Sequence, residues 1–329
     1  MRVRLSGIVV LVGLAVFGVL VFVPVASGLS PACMVTNRAT RDSYAGLQSA
    51  VNAASPGDTL LVRGTCTGTA TIGMDLRLRG QRRGPSPPTV DAGGGGAALT
   101  IADSSRVAIG SLVITGGTSG GVVIGAGAMV MLDHSTVRGN SGVFGGGIAN
   151  NGGTLIVNNS RVTDNTATVD GGGIDTYPAG SVTVLGASAI NHNSAELNGG
   201  GISNFDSGTV SLRDSSRVSG NTALGSGGGI YNSCDFAAPC TGGVTLLDAS
   251  RLDPNNAGGS GTPSGNGGGI SNGGGTSNQA GLTVSMRDGS RIYDNTAAQD
   301  GGGIFNFNGT LTGVVPGANV RRNSHDDVS

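Results

Sequence analysis

A short pattern that recurs along most of the chain limits the possible folds more than any other feature. The tetrapeptide Gly-Gly-Gly-Ile occurs six times, ending at Ile148, Ile174, Ile202, Ile230, Ile270 and Ile304. A second motif, an aliphatic residue followed three positions later by asparagine, alternates with it. Its aliphatic members are Val137, Val162, Ile190, Val218, Leu252, Ile292 and Val320, spaced by 25, 28, 28, 34, 40 and 28 residues. Such self-similarity is typical of architectures in which each repeat stacks on the next.

A third segment of each repeat shows the alternation of a strand with one buried face. We expect the positions eight and six residues before each aliphatic anchor to point inward. These pairs are Met129 with Met131, Thr154 with Ile156, Val182 with Val184, Val210 with Leu212, Val244 with Leu246, Val284 with Met286, and Thr312 with Val314. Frequent glycine triplets exclude helical repeats. The sequence therefore predicts an all-β fold, a right-handed parallel β-helix (solenoid) with three short strands per coil.

The asparagines of the second motif recur at one position of every coil. They are Asn140, Asn165, Asn193, Asn221, Asn255, Asn295 and Asn323. Amides stacked in register can hydrogen-bond along the axis, so we interpret this column as a structural ladder; a binding role is the alternative. The glycine triplets suit corners where backbones approach closely or φ is positive.

Two charged columns accompany the anchors. Arginine stands just before four of them, at Arg161, Arg217, Arg251 and Arg291, and aspartate stands four residues before, at Asp133, Asp214, Asp248 and Asp288. We expect the two columns to exchange charge along a solvated stripe; binding of sulfate or carboxylate groups is the alternative. The formal net charge of −1 argues against a nucleic-acid partner.

The amino-terminal region predicts export and a cap. Arg2 and Arg4 precede an apolar stretch, so residues 1–28 form a signal peptide, or a signal anchor if they are not cleaved. Residues 29–100 hold the cap and the first irregular coils, and residues 101–329 hold the regular repeats. Within the cap, about 42–54 reads as one amphipathic helix that would cover the open end of the stack. We expect a secreted or cell-surface protein, with membrane contact only through the leader.

Four cysteines lie beyond the leader, and an even number outside the cytosol favours disulfides. Cys234 and Cys240 bracket a short loop and are expected to pair locally, which leaves Cys33 with Cys66. Free thiols are the alternative.

Through these motifs the chain resembles a known family. The run YAGLQSAVNAASPGDTLLVRGTCTG, which begins at Tyr44, resembles the start of right-handed β-helix repeat proteins with the pectin-lyase-like fold. The alternating GGGI and VxxN motifs are similar to the repeats of bacterial polymorphic outer membrane proteins, in which phenylalanine stands at the position of the aliphatic anchor. The similarity extends from about Tyr44 to Asn323. It implies an exported bacterial β-helix, a fold that hosts enzymes, adhesins and scaffolds alike.

Catalytic residues are hard to find. Asp133 and His134 are the only weak candidates, and Asp133 also belongs to the aspartate column. No calcium-binding repeat or other metal or cofactor motif is present, so we expect neither a bound metal ion nor a cofactor. Binding candidates lie on neighbouring coils, at Tyr177, Phe205, Tyr231, Asp235 and Phe236; Tyr177 and Phe205 either stack on each other or offer a platform to a sugar ring.

The sequence thus favours a surface or secreted scaffold, an adhesin-like module without catalysis whose partner is a glycan or a surface protein. The alternative is a carbohydrate-active enzyme, a polysaccharide lyase or a glycoside hydrolase.

Overall fold

The computed structural model describes residues 33–234, 241–258, 265–273 and 281–329. The predicted leader, residues 1–28, lies outside the described residues. In the described part nearly all regular structure is β, with short strands arranged in four sheets and one helix, Leu47–Asn52. The prediction of an all-β stack of parallel sheets is confirmed.

Three long sheets contain most of the strands. Within each sheet, neighbouring strands come from successive repeats of the chain. Sheet 1 contains Ser43–Tyr44, Met34–Asn37, Thr59–Arg63, Leu76–Gly80, Arg106–Gly110, Met129–Asp133, Thr154–Asn158, Ser181–Leu185, Thr209–Leu212, Gly243–Leu246, Thr283–Met286 and Thr310–Thr312. Sheet 2 contains Thr65–Thr67, Thr89–Asp91, Val113–Thr115, Thr136–Arg138, Arg161–Thr163, Ala189–Asn191, Arg217–Ser219, Arg251–Leu252, Arg291–Tyr293 and Val320–Arg321. Sheet 3 contains Ala70–Ile72, Leu99–Ile101, Val122–Ile124, Ile148–Asn150, Ile174–Thr176, Ile202–Phe205, Ile230–Ser233, Ile270–Asn272 and Ile304–Asn306.

Sheet 4 was not predicted from the sequence. It contains the two-residue strands Ser141–Gly142, Thr166–Ala167, Ser194–Ala195, Thr222–Ala223, Asn256–Ala257 and Thr296–Ala297. These strands directly follow the asparagines of the second motif. Because each contributes only two residues, no alternation in the sequence reveals them.

Strands pair in register with their counterparts in the next repeat. In sheet 3, for example, Ile174 lies opposite Ile202, and Ile202 lies opposite Ile230. The aliphatic anchors of sheet 2 and the isoleucines that follow the glycine triplets are all fully buried. Like residues therefore stack on like residues, and one continuous core runs along the sheets.

The glycine triplets form corners, as predicted. Gly199 has a φ of 64°, in the left-handed region that favours glycine. At Gly200, a Cβ atom would lie 2.7 Å from the carbonyl oxygen of Gly228 and closer still to that of Thr222. The repeated triplet is thus required both by backbone conformation and by the close approach of the next coil.

The structure places the seven asparagines of the second motif in one continuous chain of hydrogen bonds, which we call the first ladder. Each side-chain amide donates to the Oδ1 atom of the next asparagine at 2.9–3.0 Å. The same Oδ1 accepts the backbone N–H of the preceding asparagine at 2.8–3.2 Å. At the carboxyl end, Asn323 donates its backbone and side-chain N–H groups to Oδ1 of Asp327 at 3.2 and 3.0 Å. Asp327 therefore caps the ladder.

The inward columns of sheet 1 were predicted one residue out of register in three coils. Met129 and Met131 are exposed, whereas Val130 and Leu132 are buried. In the next coil Leu155 and Val157 are buried in place of Thr154 and Ile156. The turn to the next strand is one residue shorter there, since five positions separate Leu132 from Val137 but six separate Val184 from Ile190. In the last coil Leu311, not Thr312, lies opposite Val284, whereas Val314 packs against the core as predicted.

The predicted charge exchange between the arginine and aspartate columns is wrong. Asp214 and Asp248 occupy left-handed turns, and their Oδ2 atoms accept the backbone N–H groups of Gly186 and Asp214 at 2.8 and 3.0 Å. Among the described ion pairs, Arg217 contacts the buried Asp253 at 2.5 Å instead. Asp133 does not share this turn position, because it ends the strand Met129–Asp133.

The helix at the amino end is shorter than predicted. It spans Leu47–Asn52 and buries Leu47, Ala50 and Val51. The residues before it do not join the helix, because Ser43–Tyr44 pairs antiparallel with the strand Met34–Asn37. The predicted disulfide between Cys33 and Cys66 is confirmed, with a Cα–Cα distance of 4.6 Å. Cys234 is not a free thiol; its predicted partner, Cys240, lies outside the described residues.

Candidate functional site

A groove runs along the outer face of sheet 3. Its floor is the middle residue of each strand, in register from coil to coil: Ala149, Asp175, Ser203, Tyr231, Ser271 and Phe305. The first five of these are buried although they point away from the core. At about 4.8 Å between strands, the floor is about 24 Å long.

One wall of the groove is formed by the residue that precedes each glycine triplet. Asp170, Asn198, Ser226 and Asn266 each accept, through a side-chain oxygen, the backbone N–H of the corresponding residue one coil further on, at 2.8–3.3 Å. The wall is therefore held rigidly by its own hydrogen-bond chain. The glycine corner directs this residue back over the floor of its own coil.

The opposite wall is formed by the residues two positions after the floor. In two adjacent coils these are Tyr177 and Phe205, whose ring centroids lie 5.7 Å apart with the planes tilted by 49°. The Tyr177 side chain is 47% exposed. The two rings contact each other and also leave aromatic surface accessible at the rim of the groove.

Between these walls lies a cavity of about 320 Å³. It is lined by Phe144, Asn151, Asp170, Asp175, Tyr177, Ser203 and Phe205. Asp175 is only 6% exposed. The cavity thus combines two carboxyl groups, a serine hydroxyl group and three aromatic rings, and none of its described lining residues is basic.

Burial raises the pKa of Asp175 from 3.8 to about 7. The nearby Ser203 hydroxyl group opposes that rise, and the negative charge of Asp170 adds to it. Burial likewise raises the pKa of Asp170, although hydrogen bonds from Asn198 oppose the effect. Near neutral pH, Asp175 therefore exchanges a proton readily and can act as a donor or as an anion.

A second cavity, of about 540 Å³, continues the groove on the following coils. Its lining residues are Asn198, Ser226, Tyr231, Asn266, Ser271, Gly273, Phe305 and Phe307. Burial raises the pKa of Tyr231, so its phenol remains neutral. Because Ser203 in the first cavity lies directly opposite Tyr231 in the second, the two cavities share one floor.

The structure brings three of the predicted binding residues, Tyr177, Phe205 and Tyr231, into this groove. The other two, Asp235 and Phe236, lie outside the described residues. Asp133 and His134 lie apart from the groove, at the end of a strand of sheet 1. Their side chains are largely exposed and pair with each other at 3.0 Å, and Asn158 donates to Asp133 at 2.7 Å.

Sequence reasoning missed Asp170 and Asp175. A signal for Asp175 was available, since it is the only charged residue among the six that follow the isoleucine of Gly-Gly-Gly-Ile. The next residue, Thr176, is also the only one of its column that is not asparagine. The coil with the irregular sequence is the coil with the buried carboxyl group.

The described residues contain no cluster of three or more side chains suited to hold a metal ion. Among them, no helix has the length and apolar character needed to span a membrane. No family model matches the chain, and neither does any curated protein or solved structure. The function therefore has to be inferred from the groove itself.

Proposed function

We propose that this chain is an exported right-handed parallel β-helix, with three principal strands per coil and the helix Leu47–Asn52 as its amino-terminal cap. Right-handed coiling is the usual hand for crossovers between parallel strands. The apolar segment after Arg2 and Arg4 and the disulfide Cys33–Cys66 support a secreted or cell-surface location, since disulfides persist in oxidising compartments. The similarity to pectin-lyase-like and polymorphic outer membrane protein repeats supports the same fold.

On this scaffold the chain functions as a binding module without catalysis, and its ligand is a glycan that lies along the groove of sheet 3. The observation that carries this proposal is the aromatic pair Tyr177 and Phe205 beside a polar, buried floor. Aromatic faces contact the apolar faces of sugar rings, while hydroxyl, amide and carboxyl groups meet the sugar hydroxyls. A groove about 24 Å long suits a linear chain rather than a single sugar.

A glycan array followed by calorimetry tests this function. We expect the purified chain to retain one class of linear oligosaccharide, and Tyr177→Ala and Phe205→Ala each to weaken that binding about tenfold or more. Tyr293→Ala is the matched control, because Tyr293 lies in sheet 2, near Arg322. Binding that is unaffected by the groove variants would refute the assignment of the site.

The carbohydrate-active enzyme is a second candidate, and one observation favours it. Asp175, with a pKa of about 7, shares a cavity with Asp170. A carboxylic acid with a raised pKa beside a second carboxyl group is the pair that glycoside hydrolysis uses as acid and base or nucleophile.

The two candidates differ in turnover. The enzyme predicts new reducing ends when the protein is incubated with neutral polysaccharides between about pH 5 and 8, and loss of that activity in Asp175→Asn. The binding module predicts retention of the same oligosaccharides without any new reducing ends. Turnover that survives Asp175→Asn would show that Asp175 is neither the acid nor the base or nucleophile of the reaction.

A further inference from the structure

We propose that the carboxyl pair Asp170 and Asp175 binds the amino group of an amino sugar, so that the groove selects glycans with free amines over uronates. This inference rests on the proposed glycan-binding function and names the ligand class for the first cavity. It follows from what surrounds the two carboxyl groups.

The cavity is lined by two carboxyl groups and by no basic side chain among the described residues. Asp175 is nearly buried, and it forms none of the described ion pairs. The titratable groups that line its cavity are Asp170 and Tyr177, and Tyr231 lies two strands further along the floor. A buried carboxyl group without a cation is costly to ionise. A ligand that brings a positive charge removes that cost, whereas a uronate would add a third negative group.

A second feature of the cavity also points to a missing polar partner. The hydroxyl group of Ser203 is buried, lines the cavity and donates a hydrogen bond to the Asp175 carboxyl group, which lowers the pKa of that carboxyl group. Its oxygen accepts no hydrogen bond from the described residues. Buried hydroxyl groups are normally hydrogen-bonded, so an N–H donor entering beside Asp175 would satisfy this oxygen.

The side chains favour an amine over a metal ion. Calcium takes six to eight oxygen ligands, and the lining offers only Asp170, Asp175, Asn151 and Ser203 as oxygen donors beside the Tyr177 phenol. An ammonium group needs fewer acceptors, and it is also attracted to the faces of aromatic rings such as those of Tyr177 and Phe205.

Proton balance is satisfied for either form of the ligand. An amine that enters neutral accepts the proton of the Asp175 carboxyl group, and an amine that enters as ammonium pairs with the carboxylate. Both routes give the same ion pair. No bond other than that to the proton is made or broken.

Calorimetric titration of the full chain with matched oligosaccharides tests the proposal. The probes are glucosamine oligomers with free amines, the same oligomers fully N-acetylated, oligogalacturonates, and calcium ions. We expect the free-amine oligomers to bind about ten- to a hundredfold more tightly than the acetylated ones, as charge-assisted hydrogen bonds provide. Asp175→Asn should reduce this preference to within about twofold.

Asp164→Asn is the matched control, because Asp164 is an exposed aspartate of a turn near sheet 2; the preference should remain. Equal binding of both oligomers by the wild-type chain would overturn the amine proposal and leave the glycan-binding function standing. Calcium binding that Asp175→Asn abolishes, without any amine preference, would also overturn it. No binding of any oligosaccharide would refute both.

Discussion

The first ladder and a second column of side chains, on the strands of sheet 3, are both chains of hydrogen bonds between side chains. They differ in that only the first chain is unbroken. In the first ladder all seven positions are asparagine and each side-chain amide is bonded to the next, up to the cap at Asp327. The second column, which we call the second ladder, contains Asn150, Thr176, Asn204, Asn232, Asn272 and Asn306. Its later members are also linked amide to amide, at 2.6 Å.

The second ladder is interrupted at Thr176. Asn150 donates to its hydroxyl oxygen at 3.0 Å, but within the described residues no bond continues to Asn204, whose buried Oδ1 atom has no partner. The interruption falls in the coil that places Asp175 in the groove floor and Tyr177 in its wall. This fold therefore tolerates a missing hydrogen bond between buried side chains, and the missing bond lies at the candidate site.

The largest effect is expected from breaking the uninterrupted ladder. Asn193 donates to the carbonyl of Val162 and to Asn221, and it accepts two N–H groups of Asn165. Asn193→Ala should lower the free energy of unfolding by about 4 kcal/mol, because several buried groups lose their partners. Urea denaturation measures this change. Asn52→Ala, at an exposed asparagine bonded only to Gln48 among the described side-chain contacts, should change it by less than about 1 kcal/mol.

A smaller but pH-dependent effect is expected from Asp175→Asn. In the folded state the pKa of Asp175 is about 7, above its ordinary 3.8, so the folded chain holds a proton that the unfolded chain releases. Stability should therefore fall as pH rises from about 4 through 7. Relative to wild type, Asp175→Asn should gain about 3 kcal/mol at pH 8 and little at pH 4. A gain of the same size at both pH values would show that ionisation of the buried carboxyl group is not its cause.

Repairing the second ladder should give a modest gain. In Thr176→Asn the new amide can donate to Oδ1 of Asn204 and still accept from Asn150, which we expect to raise the free energy of unfolding by about 1 kcal/mol. Thr176→Val, which removes the acceptor, should lower it by a similar amount. If Thr176→Asn is destabilising instead, the interruption is a packing requirement of this coil and not an unsatisfied link.

The smallest effect is expected at the cap of the first ladder. Asp327→Ala leaves the backbone and side-chain N–H groups of Asn323, and the backbone N–H group of Gly317, without their acceptors. Because water reaches this end, the cost should be only about 0.5–1 kcal/mol. Asp327→Asn keeps the acceptor oxygen for Asn323 and loses only the exposed bond from Gly317, so it should lie between wild type and Asp327→Ala. Hydrogen exchange of the Asn323 amide provides a local readout of the same difference.

The sequence predicted the scaffold well because the anchors Val137 to Val320 and the glycine triplets repeat so regularly. It failed where a single residue changes the length of a turn, as between Leu132 and Val137, since a shift of one position moves a strand's side chains to the opposite face. The groove was only partly predicted. Its aromatic residues stood out, but its walls come from residues five positions before and two positions after the floor. That relation follows from how the Gly199–Gly201 corner and its equivalents fold, and it is not visible as a period in the sequence.

On the proposed function, ionisation of the buried Asp175 lowers stability, and a ligand of opposite charge should restore it. Thermal unfolding at pH 8, with and without saturating free-amine glucosamine oligomer, tests this directly in wild type and in Asp175→Asn. We predict that the oligomer raises the Tm of wild type, while Asp175→Asn starts at a higher Tm and gains little from the oligomer. A variant that starts lower than wild type, or an oligomer that raises both proteins equally or neither, would contradict this exchange of stability for binding.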